Sequence, residues 1–264
     1  MIMTDDQEEV SAREMPRLQS LIAAQGVTFQ NAISTTPLCS PSRATVMSGR
    51  YAHSHNILSN QAPLGGYGKY RDSGVEGDSL PMWLKAAGYR TAYLGKYTNG
   101  YGPGWTTKPP GWDDWLAFTE PQAYVNFTPT RPTTSRSTPR GTRACSRRRA
   151  RPGPPPPSIE GRSLTPLFAA TTPRLSAWRP DLLIEYWDNT NPATTLMPTC
   201  QGVRVEDGVD SALYVQHVTS EEQYYDFKTD LYQMNSAVGG HPAEVSRLNA
   251  RMKDLAACRG SSCR

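Results

Sequence analysis

The chain has 264 residues with 37% hydrophobic content and a mean hydropathy of −0.58; that length suits one large α/β domain or two small ones, and no apolar run is long enough to cross a membrane. The net charge of +4 is local: between Pro121 and Ile159 there is no Asp or Glu but eight arginines, at 131, 136, 140, 143, 147, 148, 149 and 151, and taking those eight from +4 leaves −4 for the rest. Five cysteines cannot close a full disulfide set, no C-x-x-C pair suggests zinc, and no basic-then-apolar start resembles a secretory signal.

In chain order, Met1-Ile2-Met3-Thr4-Asp5-Asp6-Gln7 reads as the end of a parallel strand opening onto a loop. Ligands of open α/β sheets bind at the carboxyl ends of strands. Two adjacent carboxylates there can hold a hard cation such as Ca²⁺ or Mg²⁺ through oxygen. The same spacing also fits a solvated acidic turn or a helix N-cap. Glu8 to Gln25 suits a helix with Met15, Leu18, Leu21 and Ile22 on one face, Pro16 being an alternative start. Gly26 then punctuates, and Val27-Thr28-Phe29 reads as a strand.

The next stretch, Leu38-Cys39-Ser40-Pro41-Ser42-Arg43-Ala44-Thr45-Val46-Met47-Ser48-Gly49-Arg50, predicts a helix. Ser40 suits the N-cap and Pro41 the first helical position, while Gly49 can stop it. Cys39 then stands at a positive helix end, where backbone N–H groups collect anions, and Arg43 projects from the first turn towards the same place. A reactive sulfur, an anion-binding helix end and a guanidinium describe a site for a tetrahedral oxyanion. The alternative is a buried cysteine beside an ordinary helix.

His53 and His55 follow at i, i+2, as a metal pair or, on spacing alone, as loop residues. Asp78 to Gly88 predicts a helix capped by Asp78 or Ser79, with Pro81 in its first turn and Leu80, Trp83, Leu84 and Ala87 on one face. Tyr89-Arg90-Thr91-Ala92-Tyr93-Leu94 is β-rich and delivers Lys96 to a strand's carboxyl end. Helix then strand supports α/β winding.

From Thr128 to Pro157 the chain is Thr, Ser, Pro and Arg, which cannot bury enough apolar surface to fold. It reads as a disordered linker, as a tail for anionic polymers, or as the product of a frame error or lost interior. Beyond it, Asp181 to Tyr186 reads as a strand, Val203 to Val218 as a hairpin, and Pro242 to Ala257 as a helix with Val245, Leu248, Met252 and Leu255 on one face. Cys258 and Cys263 could form a disulfide in an oxidising compartment. The expected organisation is 1–127, a linker at 128–158, and 159–264.

Cys39-Ser40-Pro41-Ser42-Arg43, extended to Gly49, resembles the sulfatase signature C-[S/T/A]-P-x-R. Asp5, Asp6 and Gln7 match the T-D-D-Q phrase that ends that family's first strand. Leu84 to Lys96 resembles its L-x-x-A-G-Y-x-T-x-x-x-G-K motif. Thr98 stands where many members have a histidine, as in the branch that holds N-acetylglucosamine-6-sulfatases. Ile159 to Leu167 resembles the phrase D-G-R-S-L-x-P-L, and Glu221 to Asp230 the phrase E-L-Y-D-L-x-x-D-P.

The resemblance implies an alkaline-phosphatase-like α/β fold with a mainly parallel sheet, here incomplete, plus a small C-terminal antiparallel sheet and terminal helix. It implies Cys39 converted to formylglycine by a formylglycine-generating enzyme, with Cys39, Arg43 and Lys96 catalytic and Asp5, Asp6 and residue 39 on one Ca²⁺. The implied reaction removes sulfate from a sulfated sugar of the N-acetylglucosamine-6-sulfate or glycosaminoglycan type, with no nucleic-acid or membrane partner. The family is often secreted or lysosomal. Its second acidic pair has no D-H-G or D-N-G counterpart after Lys96, and Asp188-Asn189 lies beyond the resumed segment. The alternative is therefore a catalytically impaired remnant that at most binds anionic glycans. Missing central strands would also leave sheet edges and apolar faces uncovered.

Overall fold

In this computed structural model the described residues are 1–29, 32–102, 104–105, 107–119, 129–130, 154–168, 178–188 and 198–264. Most of the expected linker at 128–158 and Asn189 of the Asp188-Asn189 pair lie outside them.

The amino end forms no strand. Met1 and Ile2 are 84% and 86% exposed, and regular structure starts with α1 (Glu9–Arg13) and α2 (Pro16–Leu21). The single helix expected over 8–25 is broken where Met15, at φ −92° and ψ 97°, precedes Pro16. A residue before proline is pushed out of the helical region. Neither helix buries a residue, and Val27 to Phe29 form no strand either.

The first core gathers around α3 (Cys39–Ser48), α4 (Ala52–His55), α5 (Gly66–Asp72) and α6 (Leu80–Ala86). With them pack β1 (Ala92–Gly95) and β2 (Asp114–Phe118), a parallel pair in which Tyr93 faces Trp115. The short strand β3 (Pro129–Thr130) joins β2 antiparallel. Ala44, Met47, Ile57, Tyr67, Tyr70, Val75, Tyr97, Tyr101, Trp112 and Trp115 are buried together. Tyr93 stacks on Trp115 at 4.8 Å and Tyr97 meets the same ring edge-on at 4.9 Å. Such pairs add about 0.5–1.5 kcal/mol each beyond area burial, and they fix the strand end from which Lys96 projects. α6 has Pro81 in its first turn and Gly88 at φ +84° beyond its end, as the sequence predicts, but Ser79 at the N-cap position makes no capping bond and its hydroxyl donates to Glu76 O instead. Its apolar face is only half-buried.

The second core is a four-stranded antiparallel sheet of β4 (Asp181–Tyr186), β5 (Cys200–Glu206), β6 (Ser211–His217) and β7 (Glu222–Asp226) in sequential order, covered by α7 (Pro242–Ala257). The β5–β6 turn forms because Asp207 Oδ1 accepts from the N–H groups of Val209 (2.8 Å) and Asp210 (2.7 Å) around Gly208 at φ +87°. The α7 face predicted by its spacing is the one buried, Val245, Leu248, Met252 and Leu255, each worth about 1.5–3 kcal/mol when fully covered. Cys258 and Cys263 are joined by a disulfide.

Two buried carboxylates tie the cores together. Glu160, 2% exposed, accepts from Tyr51 N–H at 2.6 Å and Gly260 N–H at 3.1 Å, while its own N–H donates to Gly49 O at 2.8 Å. Glu185, fully buried, accepts from His53. The mixed α/β architecture with a small C-terminal antiparallel sheet and terminal helix is thus present, and one parallel strand pair represents the larger sheet. Among the described residues no helix is long and apolar enough to cross a membrane.

Candidate active site

Leu38, at φ −126° and ψ 147°, is the residue at which α3 begins, so Cys39 is its first helical residue and Pro41 its third. The expected N-cap, Ser40, does not cap. Its hydroxyl donates to Asn99 Oδ1 at 2.9 Å and accepts from Asn99 N–H at 3.0 Å. Gly49 ends the helix in the left-handed region at φ +66°, as expected.

The open helix end expected for anions is largely filled. Ser40 N–H donates to Asn60 Oδ1 at 2.8 Å, Ser42 N–H donates to Leu38 O at 2.9 Å, and Pro41 has no N–H. Positive charge here comes from side chains instead. Lys96 leaves the carboxyl end of β1 and places Nζ 3.3 Å from Cys39 Sγ and 2.5 Å from Asp5 Oδ2. Arg43 is 8% exposed; its Nη1 donates to Lys96 O at 2.6 Å, and Nη2 reaches Asp5 Oδ1 at 3.5 Å. Tyr93 also donates to Lys96 O and lies 3.4 Å from Arg43 Nη1. Burial pulls the Lys96 pKa down, but hydrogen bonds to Asp5 and Cys39 outweigh it, and the net shift is upward.

Ligand atoms of Asp5, Asp6 and Cys39 lie within 4.8 Å of one another. Asp6 adopts φ +52°, in the region that Asp tolerates better than most residues. The structure thus brings together Cys39, Arg43, Lys96, Asp5 and Asp6. Gln7 is elsewhere, with Nε2 3.2 Å from Met15 Sδ.

The donor set fits a hard cation in kind. Two carboxylates supply oxygen, whereas the thiol of Cys39 is a soft ligand that suits such an ion only after conversion to an oxygen group. A full shell of about six to eight oxygens needs more than these three groups.

The histidines serve the fold. His55 is buried, its Nδ1 accepts from Ile57 N–H at 3.1 Å and its Nε2 faces Thr45 Oγ1 at 3.0 Å. Burial pulls its pKa down to about 3, so it is neutral. His53 faces Glu185 Oε1 through Nδ1 at 2.8 Å and Cys258 O through Nε2 at 3.0 Å.

Tyr93, Asn60 and Asn99 are the site neighbours that sequence reasoning missed. Asn99 lies in the phrase Gly-Lys-Tyr-Thr-Asn-Gly-Tyr, but its partner is 59 residues away, and no spacing reports that.

A family model described as Sulfatase matches residues 2–177. The chain is 34% identical over 135 residues to the N-acetylglucosamine-6-sulfatase of Homo sapiens, covering 48% of this chain and 24% of that one. It is 34% identical over 129 residues to the arylsulfatase of Volvox carteri, covering 47% of this chain and 20% of that one. It therefore spans about a quarter or less of the length of these relatives. A solved structure in complex with its substrate D-glucosamine-2-N,6-O-disulfate matches at 22% identity and a TM-score of 0.32, over 39% of this chain and 20% of that one.

Proposed function

The chain belongs to the sulfatase family, and from that premise we propose that it is a sulfuric ester hydrolase acting on a sulfated sugar through a formylglycine made from Cys39. The observation that carries this reading is the convergence of Cys39, Arg43, Lys96, Asp5 and Asp6 from three separate stretches of sequence. The similarity to N-acetylglucosamine-6-sulfatase supports a 6-O-sulfated N-acetylglucosamine or glycosaminoglycan substrate.

Converted to formylglycine and hydrated, residue 39 would supply one hydroxyl to attack sulfur and displace the sugar alcohol, and a second whose collapse to the aldehyde breaks the bond to sulfate and releases it. A divalent cation, Ca²⁺ in this reading, would be held by Asp5, Asp6 and the oxygen of residue 39 and would lower the pKa of that oxygen's proton. Cys39 Sγ marks where that oxygen stands. Lys96 Nζ, 3.3 Å from it, binds a sulfuryl oxygen and offsets the charge that gathers there. Arg43 holds the carbonyl of Lys96 and faces the same space, so the two cations keep a fixed spacing. Tyr93 braces the same carbonyl.

One observation favours a second reading, a catalytically impaired remnant that binds anionic glycans. Among the described residues the cluster contains only two carboxylates, fewer than a hard cation needs. Hydrolysis of a chromogenic aryl sulfate with Ca²⁺, after co-expression with a formylglycine-generating enzyme and with Cys39→Ala as control, separates the two. Turnover above the control supports the enzyme; none supports the remnant. Intact mass about 18 Da below that of the cysteine form reports the conversion of residue 39.

A further inference from the structure

Both oxygens of the Asp5 carboxylate are taken. Oδ2 is 2.5 Å from Lys96 Nζ and Oδ1 is 3.5 Å from Arg43 Nη2. The side chains of Lys96 and Arg43 are 14% and 10% exposed, that of Asp5 26%, so these pairs are screened far less than surface ones. Asp6, next in sequence and exposed, has no ion pair among the described residues. The single negative charge of Asp5 is therefore shared between both basic side chains of the site and offsets one of their two charges.

This arrangement sets up a competition. A sulfate ester needs Lys96 and Arg43, which Asp5 occupies. A divalent cation needs the oxygens of Asp5, which Lys96 and Arg43 occupy. A cation that draws Asp5 towards Asp6 frees the two basic side chains, and a sulfate that takes the basic side chains frees Asp5. We propose that Asp5 is a built-in counter-anion that blocks the sulfate position until a divalent cation removes it, so that cation and sulfate bind as a linked pair. The nature of the external anion rests on the function proposed above; the exchange itself rests on the three side chains. Linkage requires the effect to be reciprocal: whatever factor the cation adds to sulfate affinity, sulfate adds to cation affinity.

The test is calorimetric titration of the purified chain, converted at residue 39, with inorganic sulfate, in EDTA and in saturating Ca²⁺. For the wild type, Ca²⁺ lowers the sulfate Kd by about tenfold, within the usual range for coupled sites, and sulfate lowers the Ca²⁺ Kd by the same factor. Asp5→Asn binds sulfate in EDTA as tightly as the Ca²⁺-loaded wild type and gains nothing from Ca²⁺. Asp6→Asn makes the same change in charge without releasing Lys96 or Arg43, and gains no sulfate affinity in EDTA. The proposal is overturned if Asp5→Asn binds sulfate no better than wild type in EDTA, or if Asp6→Asn gains as much. Should Asp5→Asn not fold, the wild type still decides: equal sulfate affinity with and without Ca²⁺, or no binding in either, overturns it. These titrations need no turnover. An inactive chain with coupled binding keeps the exchange and loses the enzyme, and an active chain with uncoupled binding does the reverse.

Discussion

His53 Nδ1 lies 2.8 Å from Glu185 Oε1, a contact that spans 132 residues and joins the signature region to the C-terminal sheet. The other ring nitrogen faces a second acceptor, Cys258 O at 3.0 Å, so both partners are best served by the protonated ring. Burial pulls the His53 pKa down, but the hydrogen bond and charge of Glu185 outweigh it and the pKa is raised above 6.5. A raised folded-state pKa contributes stability that is fully present below the unfolded value and is lost as pH climbs through the folded one. His53→Gln therefore costs most below pH 6.5, about 1.5–3 kcal/mol for a charged hydrogen bond. Thermal melts of wild type and variant at stepped pH should show a gap that narrows as pH rises. A gap that widens would exclude the charged pair.

The disulfide between Cys258 and Cys263 closes a loop whose ends differ by five in sequence. A loop this short removes little entropy from the unfolded chain, about 2 kcal/mol by the loop-closure relation. It also holds Cys258 O for His53, Gly260 N–H for Glu160 and Cys263 O for Arg179 at 3.1 Å. The Cys258→Ser, Cys263→Ser double variant should lose at least that amount in a denaturant titration. Combined with His53→Gln it should lose less than the sum of the two separate losses, since they share a contact. Full additivity would show the loop and the histidine to be independent.

Gly65 has no room for a side chain, because a Cβ there would stand 1.5 Å from Ser59 O. The 59–65 turn carries Asn60, whose side chain holds Ser40 N–H. Gly65→Ala must open that turn. Overpacking of this kind costs about 1–3 kcal/mol or more, and the damage falls on the amino end of the signature helix. Amide exchange should rise at Ser40 before it rises in the C-terminal sheet; unchanged protection at Ser40 would contradict the Asn60 link.

Tyr93 and Arg43 both donate to Lys96 O. Tyr93→Phe keeps the ring stacked on Trp115 and removes only the hydroxyl. Loss of one such bond is worth about 0.5–1.5 kcal/mol. In a converted, active preparation a loss of that size in the transition state predicts roughly a two- to twelvefold fall in kcat/KM, with the melting temperature nearly unchanged. A loss of melting temperature in step with activity would assign Tyr93 to packing alone.

Much of this was legible in residue order. The terminal helix follows from a 3.6-residue period, because its four apolar positions meet one sheet face and little else competes. Lys96 follows from a β-rich run that stops at Gly95, and the turn at Gly49 from the residue type that adopts its φ most readily. Other features were hidden because they depend on distant partners. The apolar start at Met1 to Met3 gains no strand partner among the described residues, and so remains outside regular structure and exposed. Ser40 looked like a cap, yet Asn99 and Asn60 claim its hydroxyl and its N–H. The spacing of His53 and His55 reads as a metal pair or as loop residues, but the partners of His53 arrive with Glu185 and Cys258.

The clasp on the carboxyl end of the signature helix is written late in the gene: Glu160 reaches Tyr51 N–H across 109 residues and Gly260 across 100. During synthesis Cys39 emerges long before any of these fasteners exists. The nascent chain thus passes through an interval in which residue 39 is present and the contacts of Glu160 are not. The conversion of residue 39 proposed above would then compete with folding of the chain around it, and a variant that folded its first half sooner would shorten the time for it.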